Sequence, residues 1–192
     1  MWINPLGISA FITTLVATVL IVVAFILPQW WVITTRGGRT TSYGLWTLTY
    51  CTDDGCHLEA TSQIEGGKEF LFISKVFETL AVGLSLVGLI LHTVYIPWRK
   101  VVVRSLAIYC LGAAGLFVML AVFIYIGKFQ SLGEQNRSLK VGASFAISLV
   151  GGVVCLVASA LTAIASVRKA SRHEDEERLD TVILQGSHWN EF

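Results

Sequence analysis

Charge is what this chain of 192 residues has least of. Only 14% of its residues are Asp, Glu, Lys or Arg, against roughly 25% in an ordinary soluble domain. With 54% hydrophobic residues and a mean hydropathy of +0.68, the chain would expose far too much apolar surface if it folded alone in water, which excludes a soluble single domain. A surplus of either sign is missing too. The formal net charge of +1 is no footprint for nucleic acid, which calls for a basic stripe and a high isoelectric point. Four cysteines are too few for a disulfide-dense scaffold, and their spacing matches no zinc pattern. C-x-x-C, G-x-S-x-G, phosphate-cradling loops and clusters of His with carboxylates are all lacking, so the sequence gives no support to an enzyme or to a bound cofactor.

What is there instead is a set of four long uncharged stretches: residues 8–27, 76–96, 106–127 and 141–167, in which Glu78 is the one acidic or basic residue. At about 1.5 Å per residue the first stretch alone spans the roughly 30 Å hydrocarbon core, so each reads as a transmembrane helix. A cleaved signal peptide is the alternative for the first. The lack of Lys or Arg before it, its length and the Pro28-Gln29-Trp30 that follows argue against one. Lys and Arg close to spans are retained in the cytoplasm. Arg99, Lys100 and Arg104 between the second and third spans, and Arg168, Lys169 and Arg172 after the fourth, therefore put both termini inside and residues 28–70 and 128–140 outside. The expected organisation is a membrane domain over residues 1–167 and a cytoplasmic tail over 168–192. Small residues allow close helix approach in lipid, and Ser144, Ser148 and Gly152, Gly112 and Gly115, and Ala81 and Ser85 are the candidates; packing within one chain is the simpler use of them, homodimerisation the alternative.

The first outer loop reads as a folded piece. Residues 30–51 are dense in Trp, Tyr, Thr, Val and Ile, the composition of strands. Gly37 and Gly38 form one turn signal, and Asp53-Asp54-Gly55 forms another between Cys51 and Cys56. A meander of two or three strands is marginal by itself. Cys51 and Cys56 bracket a turn in an oxidising compartment and are expected to form a disulfide that fixes its register. Cys110 and Cys155 fall inside spans and read as small buried hydrophobes.

A Trp just after the first span, then Gly-Leu-Trp, then two cysteines, resembles the superfamily of claudins, peripheral myelin and epithelial membrane proteins, and calcium-channel γ subunits. The residues are Trp30, Gly44-Leu45-Trp46, Cys51 and Cys56, and Leu27-Pro28-Gln29-Trp30 looks claudin-like. The resemblance covers about residues 1–170. It implies an all-α membrane protein, a four-transmembrane-helix bundle with a small extracellular antiparallel β-sheet, with Trp30, Gly44, Leu45 and Trp46 anchoring that sheet. For function it implies structural and adhesive work at cell junctions, through self-association in cis and in trans or with related four-span proteins, forming or regulating a paracellular barrier or pore. Two other branches stay open: an auxiliary subunit of an ion channel or receptor, and a membrane organiser like peripheral myelin protein. The first outer loop holds five acidic residues, among them Asp53, Asp54 and Glu59, against three basic ones. In a claudin such carboxylates line the path between cells and favour cations. His57, directly after the second cysteine, matches a pore position of some claudins and would make conductance sensitive to pH. A merely solvated acidic loop is the alternative.

Glu78 lies about one turn inside the second span with Lys75 at i−3, so an interfacial ion pair is expected there rather than a proton or ion relay. His92 near the other end of that span reads as a packed or interfacial histidine. Asn136-Arg137-Ser138 is an N-glycosylation sequon, set close to the fourth span, where a glycosyltransferase has little reach. The tail opens basic and turns acidic at Glu174-Asp175-Glu176-Glu177, as suits a solvated segment beside anionic lipid heads. Phe192 is a candidate for a PDZ groove.

Overall fold

The three prolines punctuate the helices. Pro5 is the first residue of a helix, a position where the missing N–H is not needed, and Pro28 follows two residues after that helix ends. Pro97 sits in the last turn of the next helix. The computed structural model describes residues 5–34, 40–52, 55–60, 68–98, 101–132 and 138–188. In chain order these form α1 (Pro5–Ile26), β1 (Trp31–Thr34), β2 (Thr40–Tyr43), β3 (Thr47–Thr52), β4 (Gly55–Ala60), α2 (Lys68–Trp98), α3 (Val101–Leu132), β5 (Ser138–Val141) and α4 (Ala143–His188).

Each of the four uncharged stretches coincides, but for Leu27 at the end of the first and residues 141–142 at the start of the fourth, with a helix long and apolar enough to cross a membrane. A bilayer core offers no partner for backbone N–H and C=O, so a spanning segment must satisfy them internally. Helical backbone continues beyond the apolar limits: α2 begins at Lys68 and α4 runs to His188. The segment read as a solvated tail is thus helical through most of its length.

The helices form a ring in which α1 packs on α2 and α4, and α3 packs on α2 and α4, while α2 and α4 face each other diagonally. Small residues set the separations. A Cβ on Gly115 would lie 2.7 Å from Leu156 Cγ, and one on Gly152 would lie 2.8 Å from Val118 Cγ1. Gly151 similarly admits Ile21 of α1. Between 28% and 39% of each span is buried inside the bundle; the remaining faces carry exposed Ile12, Val19, Ile90, Leu116 and Phe123 and meet lipid.

The five strands make one antiparallel sheet in the order β4-β3-β2-β1-β5. This exceeds the two- or three-stranded meander expected from the first loop alone. The added strand, β5, comes from the second loop and pairs Trp31 with Val141 and Thr34 with Ser138. Val141 therefore ends a strand rather than opening the fourth span. The expected turns at Gly37-Gly38 and Asp53-Asp54, the sequon residue Asn136, the basic residues Arg99 and Lys100, and Phe192 lie outside the described residues.

Candidate functional site: the sheet and its seat on the helices

The seat is built from the chain just after α1. Pro28 stops the helix, and Gln29 and Trp30 run extended against the start of α4. Gln29 N–H donates to Ser144 Oγ at 3.1 Å, Ser144 Oγ donates to Leu27 O at 3.1 Å, and Ser144 N–H donates to Gln29 O at 3.0 Å. Gly142 N–H donates to Trp30 O at 2.9 Å. So close an approach leaves no room at position 142 for a side chain. A Cβ there would lie 2.9 Å from the Trp30 carbonyl carbon and 2.6 Å from that of Gln29.

Trp30 is wholly buried. Its indole N–H donates to Ala24 O at 3.1 Å, and its ring packs on Tyr125 at 5.1 Å and Phe145 at 6.1 Å between centroids. One side chain thereby touches α1, α3 and α4 and gives the sheet its attachment. Trp31, also buried, stacks on Tyr125 as well, at 6.3 Å between centroids.

Gly44, Leu45 and Trp46 form the turn between β2 and β3, and each has its own surroundings. Gly44 N–H donates to Thr47 O at 2.8 Å, and a Cβ on Gly44 would lie 2.6 Å from Pro28 Cα. Leu45 is buried in the core. Trp46 is 44% exposed. Its ring meets Phe25 edge-on at 5.2 Å, and the Lys75 ammonium lies 5.3 Å over its face. Trp46 thus sits on the perimeter, at the level where α1 ends and α2 begins, the amphipathic position Trp favours at a membrane surface.

At the far end of the sheet, Cys51 and Cys56 are cross-strand partners joined by a disulfide. Their Cα atoms are 4.0 Å apart, the spacing of a non-hydrogen-bonded antiparallel pair. Alternation then points the N–H and C=O groups of Cys56, Leu58 and Ala60 away from β3, along the free edge of the sheet. Every residue of β4 is exposed. On the opposite register, Tyr50 faces His57 with rings stacked at 5.4 Å, and the Tyr50 hydroxyl donates to Glu59 Oε1 at 3.2 Å. Desolvation at the sheet surface, followed by the charge and hydrogen bond of Glu59, pushes the Tyr50 hydroxyl above its ordinary range. His57 and Glu59 are brought together on one face; Asp53 and Asp54 lie outside the described residues.

Inside the bundle, Glu78 does not make the interfacial pair expected with Lys75. It is wholly buried, and Ser148 Oγ donates to its Oε1 at 2.6 Å. The reason is periodicity: Leu71, Ser74, Glu78, Ala81, Ser85, Gly88 and His92 are the buried residues among those described on α2, one stripe along the helix, whereas Lys75 turns outward to Trp46. His92 is packed, with Nδ1 3.4 Å from Thr14 Oγ1 and its ring edge-on to Phe11. Cys155 is buried and Cys110 half-buried. Among the described residues no three His, Cys, Asp or Glu side chains gather as a metal site would require.

Sequence reasoning missed Tyr50, Gly142 and Ser148 as members of this arrangement. Ser148 had been singled out only as a small residue, and Tyr50 only as strand composition. The family model described as PMP-22/EMP/MP20/Claudin matches residues 6–164, from the first turn of α1 into the last turns of the fourth span. The chain belongs to this family. Four spans, the five-stranded sheet and the disulfide are the frame on which Trp30, Gly44, Leu45, Trp46, Cys51 and Cys56, the residues that carried the resemblance in the sequence, are arranged as described. A search of curated proteins returned no match. As a family member the chain is a claudin-like, multi-pass membrane protein whose apolar helix faces contact the lipid bilayer.

Proposed function

We propose that this chain is a structural adhesion protein of the plasma membrane at cell–cell contacts. Its sheet faces outward, both termini are cytoplasmic, and it forms or regulates a barrier or pore between cells by associating with copies of itself. The orientation rests on the basic residues around the α2–α3 turn and after the fourth span. One observation carries the adhesive reading: β4 is an edge strand exposed along all six residues, and the backbone groups of Cys56, Leu58 and Ala60 face a side on which no described strand lies. Soluble proteins blunt such edges because they template pairing with another chain. Here the edge is pinned by a disulfide and lies at the opposite end of the strand order from β1 and β5, which are fastened to the helices, an arrangement that suits strand addition between copies.

The same hairpin offers a chemistry for selectivity. Glu59 and His57 share one face with Tyr50, so a carboxylate lies on the surface beside the pairing edge and attracts cations; Asp53 and Asp54 add two more acidic residues to the same loop. Structural work of this kind needs no catalytic group.

Leu58→Pro separates pairing from folding. Proline removes an N–H that points away from β3 and leaves the β3–β4 ladder intact. In epithelial layers expressing the full chain, the wild type is expected along continuous cell borders, with a changed electrical resistance and a preference for sodium over chloride that Glu59→Gln reduces. Leu58→Pro is expected at the surface without border enrichment. Uniform wild-type distribution with unchanged resistance refutes the reading, and co-purification with a channel under those conditions replaces it with the auxiliary-subunit one.

A further inference from the structure

The sheet and its edge make no use of the Glu78 carboxyl. It lies within a membrane span, wholly buried on the diagonal of the bundle. Its Oε1 accepts from Ser148 of α4, and among the described residues its Oε2 has no hydrogen-bond partner. One turn earlier on the same stripe, Ser74 is equally buried, and its Oγ also has no partner. Two orphaned polar atoms one turn apart are a site in want of an occupant, because unsatisfied polar groups in such surroundings are costly and an unpaired charge more so.

A counter-ion, a metal or a proton could occupy it. The described part of α1 has no ionisable side chain, and α4 has none from Ala143 to Val154. α3 brings Tyr125 at this end, and its Arg104 lies at the far end, donating to Thr162 O. The sheet brings Tyr43. On α2 itself the Lys75 ammonium lies over Trp46 on the perimeter, and His92 lies about four turns away beside Thr14. Among the described side chains no cation is placed to pair with Glu78. Hard metal ions take about six or more oxygens, beyond what one carboxyl and two serines supply. A proton needs one.

We infer that Glu78 is a proton-binding site: in the assembled bundle it carries a proton on Oε2, with Ser74 Oγ as acceptor, and the neutral acid ties α2 to α4 beneath the sheet. Side chains four apart on a helix lie about 5–6 Å apart at Cβ, so a rotamer change at Ser74 brings its oxygen to the acid O–H. Both orphans are then satisfied, and Ser148 keeps its bond to the carbonyl oxygen. Raising the pH until this proton leaves puts a bare charge on the bundle axis and loosens the contact between α2 and α4.

The test is infrared spectroscopy of the full chain in phosphatidylcholine vesicles, together with its thermal midpoint against pH. The wild type is expected to show the carbonyl stretch of a protonated carboxylic acid at neutral pH, shifted down in deuterium oxide and absent in Glu78→Gln. Ser148→Ala moves that band to higher frequency, because the carbonyl loses its donor; this variant carries the test if Glu78→Gln fails to fold. The wild-type midpoint falls as the pH is raised, and that of Glu78→Gln does not. A wild type without the band at neutral pH overturns the assignment. So does a midpoint raised by sodium over choline at equal ionic strength, which would assign a metal cation to the site.

Discussion

Gly142→Ala should be among the most damaging single-methyl additions to this protein. Helix propensity and backbone conformation do not forbid alanine there; the neighbouring backbone does. The new Cβ would fall on the Gln29 carbonyl, 2.6 Å from its carbon and inside contact distance of its oxygen, and 2.9 Å from the Trp30 carbonyl carbon. These are main-chain atoms, so no rotamer change relieves the overlap. Residues 29–30 and 142–144 must separate, and the bonds from Gly142 N–H to Trp30 O and from Ser144 N–H to Gln29 O are strained or broken.

Overpacking of this kind costs about 1–3 kcal/mol, and each backbone hydrogen bond lost adds about 1 kcal/mol, more where a buried group is left unpaired. A total of about 3–5 kcal/mol is a large part of the roughly 5–15 kcal/mol that holds a typical domain folded. Gly83→Ala is the matched control. Gly83 lies in α2 with nothing within 4 Å of the added Cβ, so alanine should leave stability unchanged or raise it by up to about 1 kcal/mol. The assay is thermal unfolding of the two purified variants in detergent micelles, with surface delivery of tagged chains in cells as a second readout. If Gly142→Ala unfolds within about 0.5 kcal/mol of Gly83→Ala, the seat of the sheet is not where the bundle and sheet are joined.

Removing the disulfide by Cys51→Ser should cost about 2 kcal/mol for so short a closed loop, and hydrogen exchange should quicken in β3 and β4 while β1 and the start of α4 keep their protection; equal loosening of β1 would refute a local role. Tyr50 should form its tyrosinate above the ordinary value of 10.0, because desolvation and the Glu59 carboxylate both favour the neutral phenol as pH rises. An alkaline difference titration against Tyr50→Phe isolates it, and Glu59→Gln should bring the transition down; an unmoved transition would remove Glu59 as a cause.

The helices were legible because a bilayer demands long apolar runs, and the runs ending at Leu27, Ile96, Gly127 and Val167 each match one to within two residues at either end of the run. Their ends were not, since helical backbone needs no apolar side chains once it leaves the hydrocarbon, as α2 from Lys68 and α4 to His188 illustrate. β5 escaped notice because four residues are too few for an alternating pattern and its partner β1 lies more than a hundred positions away. Glu78 was misplaced for a different reason. Proximity to Lys75 in sequence suggested a pair, but the serines at 74 and 85 fall on the same stripe and signal a polar seam facing inward. Its partner Ser148 comes from a helix that is not a neighbour of α2 in the ring, and such a contact exists only once the whole bundle has closed.

The placement of the disulfide follows from how the sheet is held. β1 and β5 are fastened to the bundle by Trp30, Gly142 and Ser144, and β2 is fastened less directly, through Leu45 and the fit of Gly44 on Pro28. β4, at the end of the strand order, is exposed at every residue. Noncovalent anchoring therefore runs out across the sheet toward β4, and a two-stranded ribbon without a buried face is marginal in water. The covalent bond sits in that outer hairpin, where burial has nothing left to contribute. An edge strand stabilised by its own core would have to bury one face and would offer less of itself to a partner; an edge held by a disulfide can leave both faces and its backbone open. The cysteine pair is thus the physical condition for an exposed β4, and an exposed β4 is what the proposed association through the sheet requires.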